Sequence, residues 1–259
     1  MTFNAIVLAG SRGGADPVAT YAGVTDKALV QVAGRTMLAR VVAALREAGA
    51  RRVLVVHSSA EVRDHALALG TEVLAGESGP SASAATALAH LGAPALLTTA
   101  DHPLLQPAWI AAFLAAVPPD ADVAALLARR DVIEGAVPET RRTWLRFADG
   151  DWSGCNLFQL ATPRAAAALA LWRQVERDRK RPWRIVRRLG PGLLLRYLLG
   201  RLTLAEALAR IGSLAGVRAV MVPCPFGLAA VDVDKPEDLD LVRSLMPAAG
   251  GTSPEAGSC

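Results

Sequence analysis

Short, unbroken apolar runs alternate through the first half of the chain with longer stretches whose apolar residues recur every three or four positions. Ala5-Ile6-Val7-Leu8 is the first run, ended by Ala9-Gly10, and 52–56, 71–74, 95–99 and 122–128 are the next four. Runs of this length, apolar almost throughout, predict strands buried on both faces. Between them, 36–48 places Met37, Leu38, Val41, Val42 and Leu45 on one helical face and stops at Gly49. Helices are also predicted over 61–69, 81–91 (opening on serine) and 107–116, and a loop over 11–25. Strands alternating with helices at this spacing argue for βαβ units: a three-layer αβα, Rossmann-like fold with a mainly parallel sheet. Ligands of such sheets bind beyond the carboxyl ends of the strands, which places the loop after Gly10 and Asp101 at one rim.

The second half is less regular. Strands are predicted over 143–147, 157–160, 217–222 and 228–233. Helices are predicted over 163–175, 183–199 (interrupted by Gly190-Pro191-Gly192), 204–211 and 236–246. The expected organisation is one domain over 1–246, with a basic helical insertion at 176–215. A polar, small-residue tail at 247–259 is expected to be disordered. There is no internal repeat.

Composition narrows the class. Hydrophobic residues make up 52% of the 259, which excludes global disorder. No apolar run approaches about 18 residues, the length of a membrane span. Met1-Thr2-Phe3-Asn4 lacks a basic leader, so no signal peptide is expected. Three scattered cysteines, Cys155, Cys224 and Cys259, exclude a disulfide framework and a CxxC zinc site, so a cytoplasmic location is expected. The net charge of +4 is unevenly spread: 173–218 holds twelve basic and three acidic residues, and the remainder is net acidic. Such a segment suggests an anionic partner. With no nucleic-acid motif present, a phosphorylated substrate or an anionic membrane surface is favoured over nucleic acid. Arg179-Lys180-Arg181, followed by Leu193-Leu194-Leu195 and Tyr197-Leu198-Leu199, combines basic and apolar residues as interfacial helices do. A helical subdomain with solvated arginines has the same pattern.

Two features carry candidate chemistry. Leu8-Ala9-Gly10-Ser11-Arg12-Gly13-Gly14 opens a loop that reaches Asp26-Lys27-Ala28-Leu29. Small residues leave backbone N–H groups free to approach phosphate oxygens, and Arg12 and Lys27 add charge. The loop is neither a P-loop nor GxGxxG, and a plain connector would read similarly. Asp101, in Ala100-Asp101-His102-Pro103, ends an apolar strand, where a carboxylate either holds Mg²⁺ beside a triphosphate or caps a turn. Asp234, in Val231-Asp232-Val233-Asp234-Lys235-Pro236-Glu237-Asp238-Leu239, either does the same or caps the helix at Pro236. Strand alternation would put Asp232 on the face of Asp234.

Taken together, Leu8-Ala9-Gly10, Arg12-Gly13-Gly14, Asp26-Lys27-Ala28-Leu29, the Asp-x-Pro string at Asp101 and the closing Asp-x-Asp string resemble the MobA-like NTP transferase family. The resemblance covers 3–160 and 217–246 and implies a GT-A-type nucleotidyltransferase fold. By that resemblance the Gly10 loop and Lys27 contact nucleotide phosphates, and Asp101 and Asp234 are metal ligands. Asp232 is held in reserve as a ligand, and Asp238 is structural. Gly76 and Ser83 approach the base and ribose, and Asn156, in Gly154-Cys155-Asn156, faces the acceptor. Asn156 at a turn and Ser81 at a helix start also have bland explanations.

The expected activity is Mg²⁺-dependent transfer of a nucleotidyl group from an NTP, CTP or GTP foremost, to a phosphorylated acceptor. Lys27 and Arg12 would stabilise the charge at the phosphates, Asp101 would hold the metal, and Arg179, Lys180 and Arg181 would meet the acceptor. The rivals are a glycosyltransferase using Asp232-Val233-Asp234 as its DxD, and a non-catalytic nucleotide-binding protein at a membrane.

Overall fold

The computed structural model describes residues 2–10, 16–138, 142–178 and 190–246. Its core is a mixed sheet built on β1 (Phe3–Ala9), β4 (Ala50–His57), β5 (Glu72–Ala75), β6 (Ala95–Thr99), β7 (Val123–Arg129), β9 (Gly150–Leu160) and β10 (Ala219–Cys224). The spatial order is β10-β7-β9-β6-β1-β4-β5, with β8 (Leu145–Phe147) hydrogen-bonded to β9. β2 (Gln31–Val32) and β3 (Arg35–Thr36) form a separate small ribbon. β1 runs parallel to β4 and β6, β4 to β5, and β7 to β10, whereas β9 is antiparallel to both β6 and β7.

The continuous apolar runs follow from burial on both faces. Along β1, Ala5 and Val7 point into one core and Ile6 into the other; along β4, Val53 and Val55 oppose Leu54 and Val56. The first face is covered by α2 (Met37–Glu47), α3 (Ala60–Ala68), α5 (Pro107–Ala116), α6 (Arg130–Ala136) and α10 (Pro236–Leu245), through residues such as Leu38, Val62, Ile110, Ile133 and Leu239. The second face is covered by α4 (Pro80–Leu91) and α7 (Ala165–Asp178), through Ala84, Leu88, Ala165 and Leu169. The predicted αβα layering and mainly parallel sheet are therefore present.

Local signals explain the helix ends. Thr36 caps α2 by accepting from Ala39 N, and Gly49 leaves the helix at φ +100°. α9 (Leu204–Leu214) opens on a capping box in which the Thr203 hydroxyl accepts from Glu206 N while the Glu206 carboxylate accepts from Thr203 N. α8 (Pro191–Leu198) precedes it, and none of the described helices is long and apolar enough to cross a membrane.

Four expectations need correction. The loop predicted over 11–25 contains α1 (Pro17–Ala22), capped by Asp16 and stopped by Gly23 at φ +68°. The α4 cap is Gly79, not Ser81, which lies inside the helix. Residues 228–233 are not a strand but a 3-10 turn (Gly227–Ala230) followed by an extended segment. Gly227 lies so close to α6 that an added Cβ would meet the Val132 carbonyl oxygen, so the turn packs there without a side chain. The short strand predicted over 157–160 is the end of β9, which begins at Gly150. The parts of the predicted 183–199 helix before Gly190, and the tail from 247 on, lie outside the described residues.

Candidate active site

The carboxyl ends of β1, β4, β5 and β6 meet at one rim, and a cavity of about 900 Å³ opens there. Its lining includes Leu8, Ala9, Gly10, Lys27, Gly76, Ser83, Asp101 and Asp234. These are the described members of the predicted nucleotide and metal set, drawn together from across the chain. Ser11, Arg12, Gly13 and Gly14, and the predicted acceptor residues Arg179, Lys180 and Arg181, lie outside the described residues.

Lys27 is delivered by a 3-10 turn (Lys27–Leu29) whose cap, the buried Asp26, accepts from Ala28 N at 2.9 Å. Its Nζ lies 2.6 Å from Asp101 Oδ2 and 3.3 Å from Asp234 Oδ1. Backbone bonds hold the two acids in register: Ala100 N donates to Leu8 O, and Val233 N donates to Asp101 O, both at 2.9 Å. Asp234 does not cap α10. The Asp238 carboxylate accepts from the backbone N–H of both Asp234 and Lys235, which leaves the Asp234 carboxylate to face Lys27. Burial alone would lower the pKa of the Lys27 ammonium; the charges and hydrogen bonds of Asp101 and then Asp234 outweigh it, and the net shift is upward.

Asp101 has one oxygen on Lys27, and the other, Oδ1, is buried with no hydrogen-bond partner among the described residues. A buried carboxylate oxygen left open carries a desolvation penalty unless something else coordinates it. Together with the more exposed Asp234 it gives two hard oxygen donors beside an open cavity, a set that suits a divalent cation sharing its remaining positions with phosphate oxygens and water. Among the described residues no group of three or more potential metal ligands is assembled.

Asp232 takes another direction. Val231 and Val233 are buried, as the alternation requires, yet the Asp232 carboxylate turns to Arg142, with which it forms a tight ion pair, and to Asn156 Nδ2 at 2.6 Å. Asn156 adopts φ +49° at an irregularity in the β7–β9 pairing, and this turn aims its amide at Asp232. Burial raises the Asp232 pKa; Arg142 opposes that, and the Asp101 and Asp234 charges reinforce it. Arg142 has no sequence signal of its own, because its partner lies 90 residues away.

At the other predicted contact, Gly76 N donates to His57 O at 2.7 Å, and an added Cβ would lie 3.1 Å from that oxygen. Only glycine lets the chain pass there without displacing its neighbour. Ser83 Oγ accepts from Glu77 N at 2.9 Å and shapes the loop between them. Among the wall residues not anticipated as site residues are Arg173, Glu176 and Arg177, all from the last turns of α7.

A mainly parallel sheet with helices on both faces, and a rim where a lysine joins two carboxylates beside Gly10, define an α/β transferase of the nucleotidyltransferase fold. The chain belongs to the MobA-like NTP transferase family, whose domain model matches residues 5–221. It is similar to a hypothetical transferase from Thermus thermophilus at 33% identity, over 92% of this chain and 100% of that one, with a TM-score of 0.78. A CMP:2-keto-3-deoxy-manno-octonic acid synthetase solved with CTP shares the fold at 18% identity (94% and 98% coverage, TM-score 0.57). So does 2-C-methyl-D-erythritol 4-phosphate cytidylyltransferase from Thermus thermophilus, at 17% identity (93% and 96% coverage, TM-score 0.51). No curated protein matches the chain.

Proposed function

We propose that the protein transfers a nucleotidyl group from CTP or GTP to a phosphorylated acceptor and releases pyrophosphate, with Mg²⁺ as cofactor. The observation that carries this reading is the Lys27–Asp101–Asp234 cluster on the wall of a cavity that Gly10 and Gly76 also line. A phosphate oxygen of the acceptor attacks the α-phosphorus as the bond to the pyrophosphate oxygen breaks. The acceptor oxygen is already ionised, so the step needs positioning and positive charge rather than a side-chain base. Lys27, with Arg12, neutralises charge on the α-phosphate and the leaving group. Asp101 and Asp234 would hold the cation, which when bound offsets the negative charge of the triphosphate. Asp101 Oδ1, buried and unpartnered among the described residues, supports that assignment.

Asn156 and the basic residues Arg179, Lys180 and Arg181 are assigned to the acceptor. Arg179, Lys180 and Arg181 attract its phosphate, whether it is free or borne on a lipid at a membrane surface. The DxD reading of Asp232-Val233-Asp234 has less support, because Asp232 is committed to Arg142 and Asn156.

A pyrophosphate-release screen of the four NTPs against soluble and lipid-linked phosphorylated acceptors tests the proposal. Acceptor-dependent release with Mg²⁺ supports it. Turnover of nucleotide-sugars, with none of NTPs, would replace it with glycosyl transfer.

A further inference from the structure

α8 is apolar almost all the way round. Leu193, Leu194, Leu195, Tyr197 and Leu198 are interrupted only by Arg196, and Leu199 follows as the cap. Helical spacing sorts these residues onto two faces. Leu193, Leu194 and Tyr197 share the inner one: both leucines are half-buried, and the Tyr197 ring packs edge-on against Phe147 of β8 at 5.8 Å. Leu195, Leu198 and Leu199, at positions i, i+3 and i+4, share the outer one and are 57%, 70% and 57% exposed. A single exposed leucine is ordinary, but three on one face of one helix form an apolar patch. Helix formation does not require them, since lysine or glutamine would serve a solvated face equally well. The patch therefore calls for a partner.

Charge identifies that partner. Arg196 flanks the patch and pairs with Glu206 at 2.6 Å. Arg201 follows it, exposed, just past Gly200, whose φ of +64° ends the helix. The surrounding sequence, 173–218, holds twelve basic residues against three acidic ones. A second copy docking through the same face would set one such segment against another, because a two-fold contact is self-complementary. An anionic bilayer instead offers acyl chains to the leucines and phosphates to the arginines. With eight residues α8 is too short to cross a bilayer and suits the interface. We infer that α8 docks the protein on an anionic membrane surface, with Leu195, Leu198 and Leu199 seated at the boundary between headgroups and acyl chains. Docking through this face is independent of which nucleotide and acceptor the rim takes.

The test is co-sedimentation of the full chain with vesicles of phosphatidylcholine alone, or with about 30 mol% phosphatidylglycerol added. The wild type should bind the anionic vesicles at least about tenfold more tightly than the neutral ones, and lose most of that preference between about 0.05 and 0.5 M NaCl. Combining Leu195→Ser, Leu198→Ser and Leu199→Ser should weaken binding at least about tenfold with the melting temperature unchanged. Leu67→Ser, which removes a leucine 51% exposed on α3, should bind as the wild type does. Leu198→Trp keeps the face apolar and reports its position even if the triple variant fails to fold. It should still sediment, and brominated acyl chains should quench its added fluorescence. No sedimentation of the wild type, equal binding to neutral and anionic vesicles, undiminished binding by the triple variant, or an unquenched Leu198→Trp signal would each overturn the inference. So would a wild type that is dimeric in solution beside a monomeric triple variant, because the patch would then be a contact between copies.

Discussion

Protonation of His102 should make the fold acid-sensitive in a defined window. The residue sits in the loop between Asp101 and Pro103, fully buried, with its ring stacked 6.3 Å from that of Trp109. Burial lowers its pKa from 6.5 to about 4, with Asp101 pulling it up and Arg142 pushing it down. The folded pKa lies below the unfolded one, so the unfolded chain binds the proton more readily throughout the interval. The associated stability is therefore present above pH 6.5 and lost as the pH falls towards 4. Each pKa unit corresponds to about 1.4 kcal/mol, so the full loss is on the order of 3 kcal/mol, with about 2 kcal/mol gone by pH 5. Urea unfolding between pH 7.5 and 4.5 measures it, with His102→Leu as the reference that removes the titrating ring and keeps an apolar side chain of similar size. The wild type should lose stability over this range by about 2.5 kcal/mol more than the variant. Parallel stability–pH curves for the two proteins would refute the reasoning, because the acid response would then arise elsewhere.

Asp101→Asn should keep the wild-type melting temperature and lower turnover at least about a hundredfold, as read by pyrophosphate release. Lys27→Ala should weaken NTP binding at least about tenfold by calorimetry, and unchanged affinity with an unchanged rate would return Lys27 to a structural role. Gly227→Ala should lower the urea midpoint by an amount worth about 1–3 kcal/mol, since the new methyl meets the Val132 carbonyl and Ala136 Cβ. Turnover should fall with it, because the displaced turn leads into Asp234. Replacing Arg179, Lys180 and Arg181 with alanine should raise the KM for the acceptor and leave that for the NTP nearly constant, and unchanged KM values for both substrates would remove the segment from the acceptor site.

The central strands were legible in the sequence because burial on both faces leaves a mark that no polar alternation interrupts. α1 was obscured by the glycines and polar residues around it, although Asp16, Pro17 and Gly23 are the start and stop residues such a helix uses. α6 follows β7 directly across Arg129-Arg130-Asp131, with no glycine, proline or side-chain cap to mark its start, so this short helix left no signal of its own. Asp101, Lys27 and Asp234 could each be named from local strings. Their meeting could not, since the contacts span 74 and 207 residues. Arg142 reads as one more arginine until Asp232 is placed beside it. Glu176 did leave a trace, as the acidic residue that continues the Ala165–Leu169 stripe, but only the position of α4 shows what it faces.

The sheet order also constrains how the chain assembles. β6 and β7 are neighbours in sequence but not in space, because β9 lies between them and pairs with both. Strands β1, β4, β5 and β6 can join as soon as they emerge, each beside a partner already made. β7 has no seat on that platform until residues 150–160 have been synthesised and threaded into the gap, and β10 pairs in turn with β7. Closure of the sheet is therefore a late, long-range event. During synthesis the half carrying the glycine loop, Lys27 and Asp101 should gain amide protection first, and the half carrying Asn156 and Asp234 should follow in a single step.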